Sequence, residues 1–302
     1  MQQPENQILD RKGASKRGTL SGQSLSLIIG VLPLVAFMAI FFFWPLWSVL
    51  FSSFQDNFGH FTFENFKVAL GEPYRTAFSN SIVLGLVSAL TSAIPGAILA
   101  YLVETRGSQR LRQFVTSVSS VLSTTGGVPL AFMFIAAYGA EGSATGVLKA
   151  LGINLYAGNF TLYSLTGVIF VYSYFLIPTM VIVFSPAVQG IRREWHEAAK
   201  NLGATQAQFW RHIGLPLLFP SFISSVLLLF AAGFSAYATA RAMTSGTVAL
   251  VPLMIGNLVD GNVVNDQMNL GKALAMGMVV VALLAMIPYL VIQRRASRWQ
   301  QR

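Results

Sequence analysis

The chain of 302 residues has no cysteine, so disulfides and thiolate metal sites are excluded at once. It is also poor in charge: Asp, Glu, Lys and Arg make up 10% of it, against about 25% in an ordinary soluble domain. No G-x-x-x-x-G-K-[ST] pattern occurs, so this chain does not carry that ATP-binding loop. His196-Glu197 opens like the zinc-protease pattern H-E-x-x-H, but Lys200 stands where the second histidine belongs. His60 and His212 are remote from it, so no metal site follows. What remains is 54% hydrophobic, with too little polar surface for a globule in water. The composition is that of an integral membrane protein.

Six runs of about 20 apolar residues satisfy the length needed to cross a bilayer as a helix. They are Leu25–Leu50, Phe78–Val103, Phe114–Tyr138, Leu162–Val188, Leu217–Ala240 and Ala273–Ile292. The expected fold is all-α, a single six-helix membrane domain over 25–302 behind a polar tail, 1–24. The first run is too long for the core of a signal peptide and no small-residue cleavage site follows it. Basic residues concentrate on one side. Arg11, Lys12, Lys16 and Arg17 lie before the first span, and Arg106, Arg110 and Arg112 between the second and third. Arg192, Arg193, Lys200 and Arg211 lie between the fourth and fifth, and Arg294, Arg295, Arg298 and Arg302 after the sixth. The other side has Lys67, Arg75, Lys149, Arg241 and Lys272. This bias predicts that both termini face the cytoplasm. It also accounts for the net charge of +9 through topology and anionic lipid, with no need of nucleic acid.

Several spans are interrupted. Ser123-Thr124-Thr125-Gly126-Gly127 precedes Pro129 in the third, a polar break tolerated only where backbone is buried in protein or lines a wet cavity. Ser123, Thr124 and Thr125 are therefore candidate solute contacts, against the plainer reading of a kinked, packed helix. Tyr172 and Tyr174 offer hydroxyls and ring faces before Pro178. Phe230, Phe234 and Tyr237 recur at i, i+4 and i+7 and are expected on one face of the fifth span. Helix packing or lipid contact is the alternative for that face. Arg241, at the outer end of the same span, would favour an anion.

The most specific stretch is Glu197-Ala198-Ala199, then Gly203, then Ile213-Gly214-Leu215-Pro216. Ile191 to Leu202 reads as a short helix, with Gly203 where a left-handed cap belongs. Thr205 and Gln208 have the spacing of a capping box that starts a second helix. Pro216 is expected to end this unit, 191–216, and to start the fifth span. Glu197 has a plain alternative role as a surface partner of Arg193 or Lys200.

The stretch fills the pattern E-A-A-x3-G-x9-I-x-L-P and so resembles the permease subunits of binding-protein-dependent ABC importers, type I. Phe61-Thr62-Phe63-Glu64-Asn65-Phe66 and Asn80-Ser81 resemble the periplasmic access region of this class, and the layout is most like its spermidine/putrescine branch. The resemblance implies that the helix bearing Glu197, Ala198, Ala199 and Gly203, braced by Ile213, Leu215 and Pro216, docks on an ATPase subunit. It implies no catalytic residue and no cofactor on this chain, with ATP and Mg bound by the partner. It further implies a second permease chain, two ATP-binding subunits, an extracytoplasmic solute-binding protein and a bacterial inner-membrane location. The implied solute is a polyamine, with opines, aminoethylphosphonate or other small anions as alternatives. The spans have no interior carboxylate for a cation. That absence also weighs against an ion-coupled carrier, the alternative of a different class.

Overall fold

A chain crossing hydrocarbon must pair its own backbone groups, and a helix does so within one segment. The computed structural model describes residues 30–300 other than 57, 159 and 260–266; for Arg193 and 291–300 only the backbone is described. The basic residues of the N-terminal tail and Arg302 lie outside the described residues, as do the side chains of Arg294, Arg295 and Arg298. No strand occurs among the described residues. The chain divides into two compact units, Met1–Val49 and Leu50–Arg302.

The first unit leads into helix α1, Gly30–Ser53, whose apolar side chains are exposed along its length. In it, Ala39–Phe43 forms a π turn that ends next to Pro45. A proline ring collides with the carbonyl four residues earlier, and the wider turn moves that carbonyl aside.

The second unit contains α2 (Glu64–Ala69), α3 (Tyr74–Arg106), α4 (Gln109–Thr124), α5 (Gly127–Tyr138) and α6 (Ser143–Ala150). It continues with α7 (Leu165–Gln189), α8 (Arg193–Asn201), α9 (Gln206–Ser235), α10 (Ala238–Thr244), α11 (Val251–Val259) and α12 (Met268–Gln300). By length and composition, α1, α3, α7, α9 and α12 can cross a membrane, and α4 with the bent continuation α5–α6 gives a sixth when that pair is counted as one span.

Two expected spans need correction. Phe114–Tyr138 is not one helix, because its axis turns by 100° between Thr124 and Gly127. Gly127 adopts φ +80°, a conformation that favours glycine, and this starts α5 in a new direction. The fifth span is displaced from Leu217–Ala240 to Gln206–Ser235. It begins early because the helix passes Pro216 through a second π turn, Trp210–Gly214, and does not stop there. It ends early because Ala236 is extended, although neither glycine nor proline stands at that point.

The core is a three-helix contact of α3, α7 and α9, built on Leu84, Ala93, Tyr172, Met180, Leu229 and Phe234. Small residues let these backbones approach. A Cβ at Gly96 of α3 would lie 2.6 Å from the Met180 Cβ and 2.9 Å from the Ile177 carbonyl of α7. At the end opposite α8, polar side chains knit the connections. The Asn65 amide donates to the Ser53 and Gln55 carbonyls (3.1 and 2.8 Å), beneath a cluster of Phe54, Phe61, Phe63 and Phe66 rings. The Asn80 amide donates to the Ala249 carbonyl, and the Ser81 hydroxyl accepts the Val251 N–H.

The α3–α4 turn is pinned by an ion pair, Arg112 Nε to Glu104 Oε2 at 2.8 Å. Glu104 is 3% exposed and Arg112 41%, so the two partners are not equivalent. Arg112→Ala strands a buried carboxylate and is expected to cost about 1–3 kcal/mol, whereas Glu104→Gln leaves a cation that reaches solvent. Thermal unfolding in detergent should show the larger drop in Tm for Arg112→Ala; equal drops would contradict this asymmetry.

Candidate functional site

The two helix breaks meet. The Gly127 N–H, freed at the start of α5, donates to the Thr239 hydroxyl of α10 at 2.9 Å, and that hydroxyl lies 3.2 Å from the Gly127 carbonyl as donor. At the other break, the Tyr172 hydroxyl of α7 donates to the Ala236 carbonyl at 2.9 Å. Two side chains thus satisfy backbone groups that interrupted helices would otherwise leave bare in an apolar medium. The far end of α5 is closed in the same way: Tyr156 donates to the Tyr138 carbonyl at 2.7 Å, and burial raises the Tyr156 phenol above its usual range.

The residues expected to meet solute fall in different places. Ser123, Thr124 and Thr125 do end α4 at the break, but their hydroxyls donate back to the Ser120 and Val121 carbonyls. Their lone pairs, not their protons, remain for another group. Tyr172 is fully buried and holds the break. Tyr174 is half-buried, its ring 5.5 Å from that of Phe134 and edge-on to it. Phe230 and Phe234 are buried and stacked at 5.5 Å over Gly85 of α3, so they belong to the core. Tyr237 does not share their face, because the helix has already ended at Ser235. Arg241 lies on α10 and donates to the Asn257 side chain of α11.

Sequence reasoning passed over Thr239, which stands between Tyr237 and Arg241. It also passed over the polar stripe of α4. Gln113, Thr116, Ser117, Ser120 and Thr124 are all exposed, at helical spacing, on a helix that contributes to a span. An alternation of polar and apolar positions at 3.6 residues was readable there.

The second locality is the helix–turn–helix of α8 and α9. The Ala204 N–H donates to the Ala199 carbonyl (2.9 Å) and the Gly203 N–H to the Lys200 carbonyl (3.0 Å), with Gly203 at φ +80°. This is the paired bonding of a Schellman cap. One residue later Thr205 and Gln208 form the reciprocal capping box that starts α9. The angle between the two helices is therefore set by backbone caps on both sides of a two-residue link. Edge-on packing of His196 against Phe209, at 4.7 Å, braces it.

Ala198, Ala199, Ile213 and Pro216 line one apolar groove of about 950 Å³ between α8 and the first turns of α9. Glu197 is exposed and has no ion-pair partner among the described residues; the Arg193 side chain lies outside them. Leu215 faces a different hollow, shared with Ile94 and Phe219.

Residues 81–301 match the family of binding-protein-dependent transport system inner membrane components. The chain belongs to this family. It is 25% identical over 236 residues to the trehalose transport system permease protein SugB of Mycobacterium tuberculosis, covering 78% of each chain. It is 27% identical over 176 residues to a spermidine/putrescine permease PotC homolog of Mycoplasma pneumoniae, covering 57% of this chain and 54% of that one. In fold it is similar to a chain of a bacterial ABC transporter involved in alginate import, with TM-score 0.67 and 18% identity over 91% of this chain and 96% of that one. A chain of the MetNI methionine ABC transporter gives TM-score 0.53 and 16% identity over 75% and 99%. The protein is thus an ABC importer permease subunit, a membrane part of a kind that does not itself hydrolyse ATP.

Removing the acceptor for the Gly127 N–H tests the junction of the breaks. Thr239→Val is expected to lower stability by about 1–3 kcal/mol and Thr239→Ser to restore most of it. Thermal unfolding of the detergent-solubilised chain checks this; equal Tm for Val and wild type would show that the bond contributes nothing.

Proposed function

We propose that this permease forms part of a solute path that an ATPase partner drives through the α8–α9 corner. The observation that carries the reading is the doubly capped link, because a corner with fixed geometry transmits displacement from a docked partner into α9 without bending. Exposed Glu197 and the small Ala198 leave α8 free to seat in a cleft of that partner. The basic residues beside α8 support a cytoplasmic position for this end. The extracytoplasmic binding protein would then meet the end carrying the Asn65 and Asn80 clasps. The assembly so read contains a second permease chain and two ATP-binding subunits.

The path itself is proposed to run along the polar stripe of α4. Exposed hydroxyls and an amide at membrane depth are unfavourable against lipid and are satisfied by water or solute. The absence of native cysteine makes this direct to test. Thr116→Cys, Ser120→Cys and Thr124→Cys are expected to react with a hydrophilic thiol reagent in membranes, and Ile98→Cys on the apolar face of α3 is not. Unreactive α4 cysteines would sink this part of the reading.

Gly203 tests the corner. No atom lies within 4 Å of a Cβ added there, so the burden of substitution is backbone strain alone. Gly203→Val should insert and assemble but lose coupled ATPase stimulation and uptake, while Gly203→Asn, which tolerates the left-handed region, should retain most of both. Normal uptake by the valine variant would contradict the coupling role.

A further inference from the structure

The hollow that Leu215 shares with Ile94 and Phe219 is an apolar groove of about 570 Å³ between α3, α7 and α9. Ile98 and Tyr101 line it from α3, and Trp210, Leu218 and Phe222 from α9. Ile94, Ile98, Leu215 and Phe219 are exposed, so the groove opens on the outer surface of these helices. From Trp210 to Phe222 it runs about 18 Å along α9. That is close to the depth of one leaflet, half of about 30 Å of hydrocarbon. Its deep end is wholly apolar, and its shallow end carries the two amphipathic rings. The Trp210 ring is fixed there. A Cβ at Gly214 would lie 2.4 Å from it, and Tyr101 meets it edge-on at 5.0 Å. A tryptophan and a tyrosine at the end of a span are the side chains that sit at headgroup level.

Charge at the mouth decides what fills the groove. Arg211 is exposed and stands four residues before Leu215 and eight before Phe219, on the row of α9 that forms the wall. Arg106 is exposed at the end of α3, five residues beyond Tyr101. The ion pairs among the described residues are His60–Asp56 and Arg112–Glu104, so neither arginine has an acidic partner there. Any acyl chain suits the apolar wall, but two free cations above it select a negative headgroup. A transmembrane segment of a partner would fill the wall and leave both charges unanswered. We infer that this groove holds an anionic phospholipid of the cytoplasmic leaflet, its chain along Ile94, Ile98 and Phe222 and its phosphate at Arg211 and Arg106. The lipid lies against the π turn through which α9 leaves the α8–α9 corner. The inference rests on the cytoplasmic position proposed for that corner.

The test uses the purified full chain, with whatever subunits accompany it, in phosphatidylcholine nanodiscs. Brominated phosphatidylglycerol or brominated phosphatidylcholine is introduced at increasing mole fraction. Quenching of Trp210 fluorescence is read as the difference between wild type and the conservative Trp210→Phe variant. Half-maximal quenching by the anionic lipid is expected at a mole fraction about twentyfold lower than by the neutral one, about fivefold for each arginine. Arg211→Gln should therefore remove about fivefold of the preference, and Arg211→Gln with Arg106→Gln nearly all of it. Both arginines are exposed, and unchanged thermal unfolding of these variants separates a lost contact from a lost fold. Equal quenching by the two lipids in wild type would overturn the proposal, as would a preference that survives the double replacement. So would quenching by neither lipid, which would mean that a protein segment covers the groove. A nanodisc presents the lipid in both leaflets, so failure here leaves the topology and the importer reading untouched.

Discussion

The rest of this structure depends on one constraint: backbone groups freed by a broken helix must be paired again inside an apolar medium. Each unpaired group costs several kcal/mol there, far more than an ordinary hydrogen bond contributes in water. The chain breaks two spans, at Thr125–Gly127 and at Ala236, and restores the lost bonds with Thr239 and Tyr172. The same device recurs at the end opposite α8, where Asn65, Asn80 and Ser81 hold the carbonyls and amide of irregular segments. Irregular backbone so held is a fixed feature, and it brings α5, α7 and α10 to one point.

At the opposite end the solution is local. The link between α8 and α9 satisfies its own backbone through a Schellman cap and a capping box. The π turn then carries the helix past Pro216 without interruption. A push on α8 therefore reaches α9 through an unbroken helix up to Ser235, where α9 meets Tyr172 and the second break. A corner that is stiff at one end and a junction of breaks at the other is the arrangement an externally driven gate needs.

Much of this was legible beforehand. The capping box and the left-handed glycine are written in adjacent residues, Gly203, Thr205 and Gln208, and local signals suffice for local structure. The break at Gly126-Gly127 was legible for the same reason, although its 100° angle was not, since the direction of α5 is set by contact with α10. The stop at Ser235 has no signal in neighbouring residues. It is held from a helix more than sixty positions earlier, through Tyr172, and so the aromatic face of Phe230, Phe234 and Tyr237 was read across a boundary that propensity does not mark. Tyr172 itself was read as a solute contact because a hydroxyl in a span points to a polar partner; that partner is a carbonyl of the same chain. Asn65, Asn80 and Ser81 lie at the end opposite α8, and the structure gives them the task of holding backbone there.

The central claim is that this chain is a membrane part moved by another protein's ATP hydrolysis. The most direct measurement is mass spectrometry of what co-purifies, in mild detergent, with the chain tagged at its C-terminus. The account predicts an ATPase bearing the G-x-x-x-x-G-K-[ST] loop, together with a second permease chain. Recovery of this chain alone, under conditions that preserve a control importer of known composition, would contradict it and leave an ion-coupled carrier as the better description.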